Sequence, residues 1–178
     1  VKNFTAPKLL GQLNECFDVA RFVFHDTAEK TAKRQMMLDA LAVEFAAGNH
    51  AFGLYFNDDA FYVATLRDLA SMDAVASAYS QPWRRLDVAI LHKLILEKLL
   101  GIDDEALKAE TNVEYIKDFG AATSHAIDSV DAGAAQALFF MNPTRPGDVE
   151  AVARQGEKMP QKSTFFFPKI FSGLVLND

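Results

Sequence analysis

The chain holds a single cysteine, Cys16, so it can close no internal disulfide. Nothing in its covalent chemistry requires an oxidising compartment. Cys16 stands beside Phe17 in an apolar pattern and reads as a small buried thiol. Basic charge is also short: 18 Lys and Arg stand against 24 Asp and Glu, a net charge of −6. Tracking a nucleic-acid backbone needs a basic face, and an anionic membrane surface attracts a polybasic cluster. Neither a nucleic acid nor a membrane is therefore expected as a partner. No apolar run approaches the length of a transmembrane helix, and the first residues contain no signal-peptide core. Cytoplasm is the expected location.

Catalytic signatures are equally sparse. The four histidines, His25, His50, His92 and His125, are far apart, with no Cys or His at ligand spacing. No metal site is expected from that pattern. His92, facing out of or along the edge of an apolar helical stretch, reads as a hydrogen-bonded structural histidine. There is no G-x-S-x-G elbow, and Cys16 sits in no diagnostic motif.

What the chain does have is apolar mass. Half of its 178 residues are hydrophobic and 15 are Phe, enough for one packed core in a domain of ordinary size. The expected architecture is a single α+β domain over residues 1–178, with helices packed on a mixed sheet. Residues 5–16 read as a short helix with Thr5 as cap and Pro7 in its first turn. Phe17 to Phe24 is β-rich, and Glu29 to Ala47 has helical periodicity ended by Gly48-Asn49. Two apolar runs, 51–56 and 60–66, flank Asn57-Asp58-Asp59 and predict a hairpin. A helix is expected over 68–79, broken at Gln81-Pro82-Trp83. A strong helix then follows from Leu86-Asp87, with Asp87 as cap, to Gly101. Residues 113–117, 121–131 and 136–141 read as strand, helix and strand, a spacing that allows a βαβ crossover. Thr144 to Gln155 reads as a helix capped by Thr144, and 173–176 as a closing strand.

The stretch GEKMPQKSTFFFPK (156–169) comes closest to a ligand motif. Gly156, Lys162 and Ser163 stand at the offsets of a phosphate-binding G-x-x-x-x-G-K-[ST] loop. Gln161 replaces the second glycine, and Pro160 removes an amide donor. A phosphate loop follows a strand and opens a helix, whereas this stretch follows a helix and runs into Phe-Phe-Phe-Pro. The phosphate-loop reading is rejected. Charge remains: Arg154, Lys158, Lys162 and Lys169 against Glu157 give +3 over residues 154–172. Two hydroxyls, Ser163 and Thr164, adjoin Lys162 and suit a phosphate or carboxylate. In a strand, Ser163, Phe165, Phe167 and Lys169 share one face, and Thr164 and Phe166 the other. The competing reading is a strand that seals the core, with solvated lysines.

The same stretch carries a family resemblance. MPQKSTFFFPKIFSGLV (159–175) resembles the C-terminal signature of the "domain of unknown function 1015" family of bacterial and archaeal proteins. LDVAILHKLILEKLLGI (86–102) and AQALFFMNPT (135–144), followed by VEAVARQGEKMP, agree with it. The resemblance implies a longer protein whose N-terminal half carries an Asp-Gly-His-His-Arg type motif, similar to one in serine kinases and in proteins of the ParB and sulfiredoxin-like fold. Family members are often encoded near serine-biosynthesis enzymes, which implies a kinase-like, nucleotide-dependent or phosphoserine-related metabolic parent.

No Asp-Gly-His-His-Arg occurs here, and the sequence begins at Val1. The expectation is therefore a C-terminal half, with little activity alone and its own N-terminal half as partner. Gln161, Lys162, Ser163, Thr164 and Lys169 are the residues expected to help hold a nucleotide or a small phosphorylated or anionic metabolite. The alternative is a structural or interaction domain, whose Phe-Phe-Phe strand seals the core or packs on the missing half or a second subunit.

Overall fold

A computed structural model describes residues 4–109, 112–116, 122–161 and 163. Four strands, β1 (Phe17–Val23), β2 (Ala51–Tyr55), β3 (Ala60–Leu66) and β4 (Leu138–Met141), form one sheet in the order β1-β3-β2-β4. Its three ladders are all antiparallel. The hairpin forms as expected, with Tyr55 opposite Phe61. Asn57 takes up φ 56° in its turn, a left-handed conformation that Asn tolerates better than most residues.

β2 and β3 lie at the centre of the sheet and are buried almost throughout, so both of their faces must be covered. Alternation divides their side chains. Phe52, Leu54, Tyr62, Ala64 and Leu66 join one core, and Ala51, Tyr55, Phe61 and Val63 the other. Helix α2 (Thr27–Ala47) covers the second face with Met37 and Leu41, helped by Ile127 and Val130 of α7 (Ala122–Asp131). The first face is covered by α1 (Ala6–Leu13), α3 (Ala70–Val75), α4 (Gln81–Arg84) and α5 (Asp87–Ile90), together with the π-helix Leu91–Leu99. The remaining helices are α6 (Asp104–Lys108) and α8 (Pro146–Arg154). The result is an α+β domain with helical layers on both sides of an antiparallel sheet. At about 1.5–3 kcal/mol for each buried large side chain, those two layers are the main source of its stability.

Several local expectations are corrected. Among the described residues the sheet is antiparallel rather than mixed, and no βαβ unit forms. Residues 113–116 are not a strand, because Tyr115 turns its hydroxyl to His92 Nε2 at 3.1 Å and Ile116 is 45% exposed. The helix of 68–79 shrinks to α3, and the expected break at 81–83 is α4, capped by Ser80, which accepts from the Trp83 amide. The helix after Leu86 passes from α5 into the π-helix, and its cap position is Leu86 rather than Asp87. Thr5 does occupy the cap position of α1, but its hydroxyl makes no cap bond. Arg145, not Thr144, precedes α8. Cys16 is only partly buried, against the first core. The expected closing strand at 173–176 lies outside the described residues.

Polar ties fix the layers to one another. Asp26 caps α2 by accepting from the Glu29 amide at 2.8 Å, and Gly48 ends the helix at φ 83°. At the hairpin end of the sheet, Asp131 of α7 accepts from Tyr55 Oη and pairs with Lys30 of α2. Burial and that bond together push the Tyr55 phenol well above its ordinary range.

Candidate functional site

The opposite end of the sheet opens into a polar cleft of about 580 Å³. Four chain reversals build it. Gly48-Asn49-His50 leads into β2, Arg67-Asp68-Leu69 leaves β3, Arg85 and Asp87 lie around the start of α5, and Pro143-Thr144-Arg145 leads from β4 into α8. Backbone bonds hold these reversals in place. The Leu66 amide donates to His50 O at 2.8 Å, and the Arg67 amide donates to Cys16 O at 3.0 Å.

His50 Nδ1 and Asp87 Oδ1 are 2.7 Å apart, and both side chains are largely sheltered. This contact gives Asp87 a different employment from the helix cap its position predicts. With Asp87 ionised, Nδ1 carries the proton, and the Nε2 lone pair has no partner among the described residues. Asp87 thus fixes both tautomer and ring orientation, the arrangement that lets an imidazole accept a hydrogen bond or a proton from a ligand.

Arginines surround this pair. Arg67 donates to Asn14 O and lies 3.5 Å from Asp18. Arg145 donates to Phe45 O at the C-terminus of α2, with its guanidinium 4.0 Å from the centre of the Phe45 ring. A cation there satisfies a terminal carbonyl and complements the negative end of the helix. Arg85 is exposed, and its guanidinium has no protein partner among the described residues.

The basic stretch singled out in the sequence comes close to this cleft. Glu157 accepts from both the amide and the hydroxyl of Ser80, which ties the stretch to α4, and Met159 packs on the first core. Thr144, which lines the cleft, donates to Ser163 O at 2.6 Å. Ser163 itself is 7% exposed, and its hydroxyl donates to Pro160 O at 2.6 Å. Gln161 is exposed. Lys162, Thr164 and Lys169 lie outside the described residues.

His92 belongs elsewhere, in a larger and more apolar cavity of about 730 Å³ between the π-helix, Tyr115 and β4. It is buried rather than facing outward, and burial lowers its pKa to about 4. It is therefore a neutral imidazole hydrogen-bonded to Tyr115. Among the described residues no group of three or more His, Cys, Asp or Glu is placed to hold a metal ion. None of the described helices is long and apolar enough to cross a membrane.

The sequence did not single out the cleft residues as a group. His50 and Asp87 are 37 positions apart, and only the antiparallel pairing brings their segments together. The available signals were indirect: a histidine directly after a Gly-Asn helix stop, and a Pro-Thr-Arg-Pro turn between strand and helix. Comparisons with family models, with curated proteins and with solved structures find no match for this chain. The family resemblance rests on residues 86–102, 135–144 and 149–175 themselves.

Proposed function

We propose that this domain binds a small anion, a phosphate or a carboxylate, in the cleft at the end of the sheet. It does so within a longer metabolic protein, as the family resemblance implies. The observation that carries the reading is the unpartnered Arg85 guanidinium beside the sheltered His50–Asp87 pair. A guanidinium offers a planar fork of donors that matches two oxygens of a phosphate or carboxylate. His50 Nε2 can accept from a P–OH or another donor of the ligand, and the bond from the Thr144 hydroxyl ties Ser163 to the cleft wall. A cavity of about 580 Å³ is in the range of small-molecule sites, so a phosphorylated metabolite or the phosphates of a nucleotide fit the same chemistry.

Thermal denaturation in increasing phosphate tests this. Ligand at one hundred times its Kd stabilises by about 2.7 kcal/mol, a rise in Tm of roughly 5–10 °C for a chain of this size. Arg85→Ala is expected to abolish the rise while leaving the ligand-free Tm nearly unchanged, because the side chain is exposed and unpaired. An equal rise in both proteins removes Arg85 from the site, and no rise in wild type removes the site.

A second reading, a packing module, is favoured by β4. Among the described residues β4 pairs on one side only, its phenylalanines are half-buried, and Met141 is 37% exposed. Self-association that Met141→Lys abolishes, with no response to any anion, supports that reading instead.

A further inference from the structure

Formal charge in the cleft is balanced, but it is unevenly committed. Arg67 is held by Asn14 and Asp18, and Arg145 by Phe45. Asp68 accepts from the Ala70 amide at 2.8 Å, and Asp87 is held by His50. Two charged side chains remain. Neither Arg85 nor Asp148 makes a side-chain hydrogen bond or ion pair among the described residues. They carry opposite charges. Asp148 is half-buried in the first turn of α8 and lines the same cavity.

We propose that the cleft takes a small zwitterion: Arg85 receives its anionic group, and Asp148 its ammonium. This rests on the preceding reading, in which Arg85 anchors an anion, and it specifies what else the ligand carries. A half-buried carboxylate is costly to leave unpaired, and an ammonium offers it three donors. A ligand bearing only an anion leaves Asp148 unsatisfied and places two like charges in one cavity, which selects against it. The ligand class is therefore an amino acid or a phosphorylated amine, both of which join an anion to an ammonium. The simpler role for Asp148 is to complement the positive end of α8. That role predicts a small change in Tm on Asp148→Asn and no change in ligand choice.

Titration calorimetry on the whole chain separates these. The probes are glycine, acetate, glycinamide, O-phosphoethanolamine and inorganic phosphate, each with wild type, Arg85→Gln and Asp148→Asn. Wild type is expected to bind glycine or O-phosphoethanolamine at least about tenfold more tightly than acetate or phosphate. The stronger of the two identifies the anionic group. Asp148→Asn is expected to erase that preference by weakening the amine-bearing probes, with phosphate bound at least as tightly as in wild type. Arg85→Gln is expected to weaken every anion and leave glycinamide unaffected. Arg85-dependent phosphate binding with no preference for the amine-bearing probes overturns the zwitterion but leaves the anion site standing. A preference that survives Asp148→Asn overturns the role of Asp148. Absence of all binding in wild type overturns both readings. Should Asp148→Asn prove unfolded by circular dichroism, Asp148→Ser gives the same comparison.

Discussion

At the scale of single residues, the informative side chains are those used differently from what their position predicts. Asp87 stands where a helix cap belongs, yet its carboxylate holds His50. Thr144 stands near the start of α8, yet its hydroxyl ties down Ser163. Local spacing describes what a residue can do for its own element. It carries no information about a partner 37 positions away that only strand pairing delivers.

His92 gives a measurable consequence at this scale. It is 6% exposed, and burial, the largest cause, lowers its pKa to about 4; Asp104 opposes that shift and Lys93 adds to it. An unfolded histidine has a pKa near 6.5. Between those values the unfolded chain binds a proton that the folded chain refuses. Stability therefore falls as pH drops from about 6.5 towards 4, and this contribution levels off below that. Denaturant melts at pH 7 and 4.5 are expected to show roughly 2 kcal/mol more loss in wild type than in His92→Gln. Equal losses in the two proteins contradict a buried neutral His92.

At the scale of elements, the long helices and the hairpin were legible because each is set by short-range periodicity. Glu29 to Ala47 of α2 follow from helical spacing and the Gly48 stop, whereas the Asp26 cap and the two residues after it emerge only in the fold. The central strands follow from two β-rich runs around a polar turn. The π-helix was not legible. Its sequence, LHKLILEKL, has ordinary helical spacing, and the wider turn shows only in bonds such as Leu100 N to Ile95 O at 3.1 Å. The strand expected over 113–117 does not form at 113–116, because five residues of mixed polarity are a weak pattern, and the contact of Tyr115 with His92 outweighs it.

Seating of α2 on the sheet depends on Gly53. A Cβ there would meet Met37 Sδ at 2.5 Å, and Leu41 Cδ1 and Phe140 Cβ at 3.0 Å. Gly53→Ala is expected to cost roughly 1–3 kcal/mol by overpacking, read as a lower urea midpoint with an unchanged slope. An unchanged midpoint contradicts the close approach of α2 at that strand position.

At the scale of the whole molecule, the antiparallel topology decides where chemistry can occur. One end of the sheet is closed by the hairpin turn and by the ties from Asp131 to Tyr55 and Lys30. The other end gathers the chain reversals before β2, after β3 and after β4. The cleft forms at that second end, and Ser163 is tied to it through Thr144. The class of fold was legible from composition and alternation. The sheet order and the position of the cleft were not, because both depend on which strands pair.

A crystal structure of the chain soaked in phosphate tests the anion site most directly. Tetrahedral density is expected in the cleft, within hydrogen-bond distance of the Arg85 guanidinium and near His50 Nε2. Phosphate bound elsewhere, with the cleft holding only water and Arg85 still unpartnered, contradicts it.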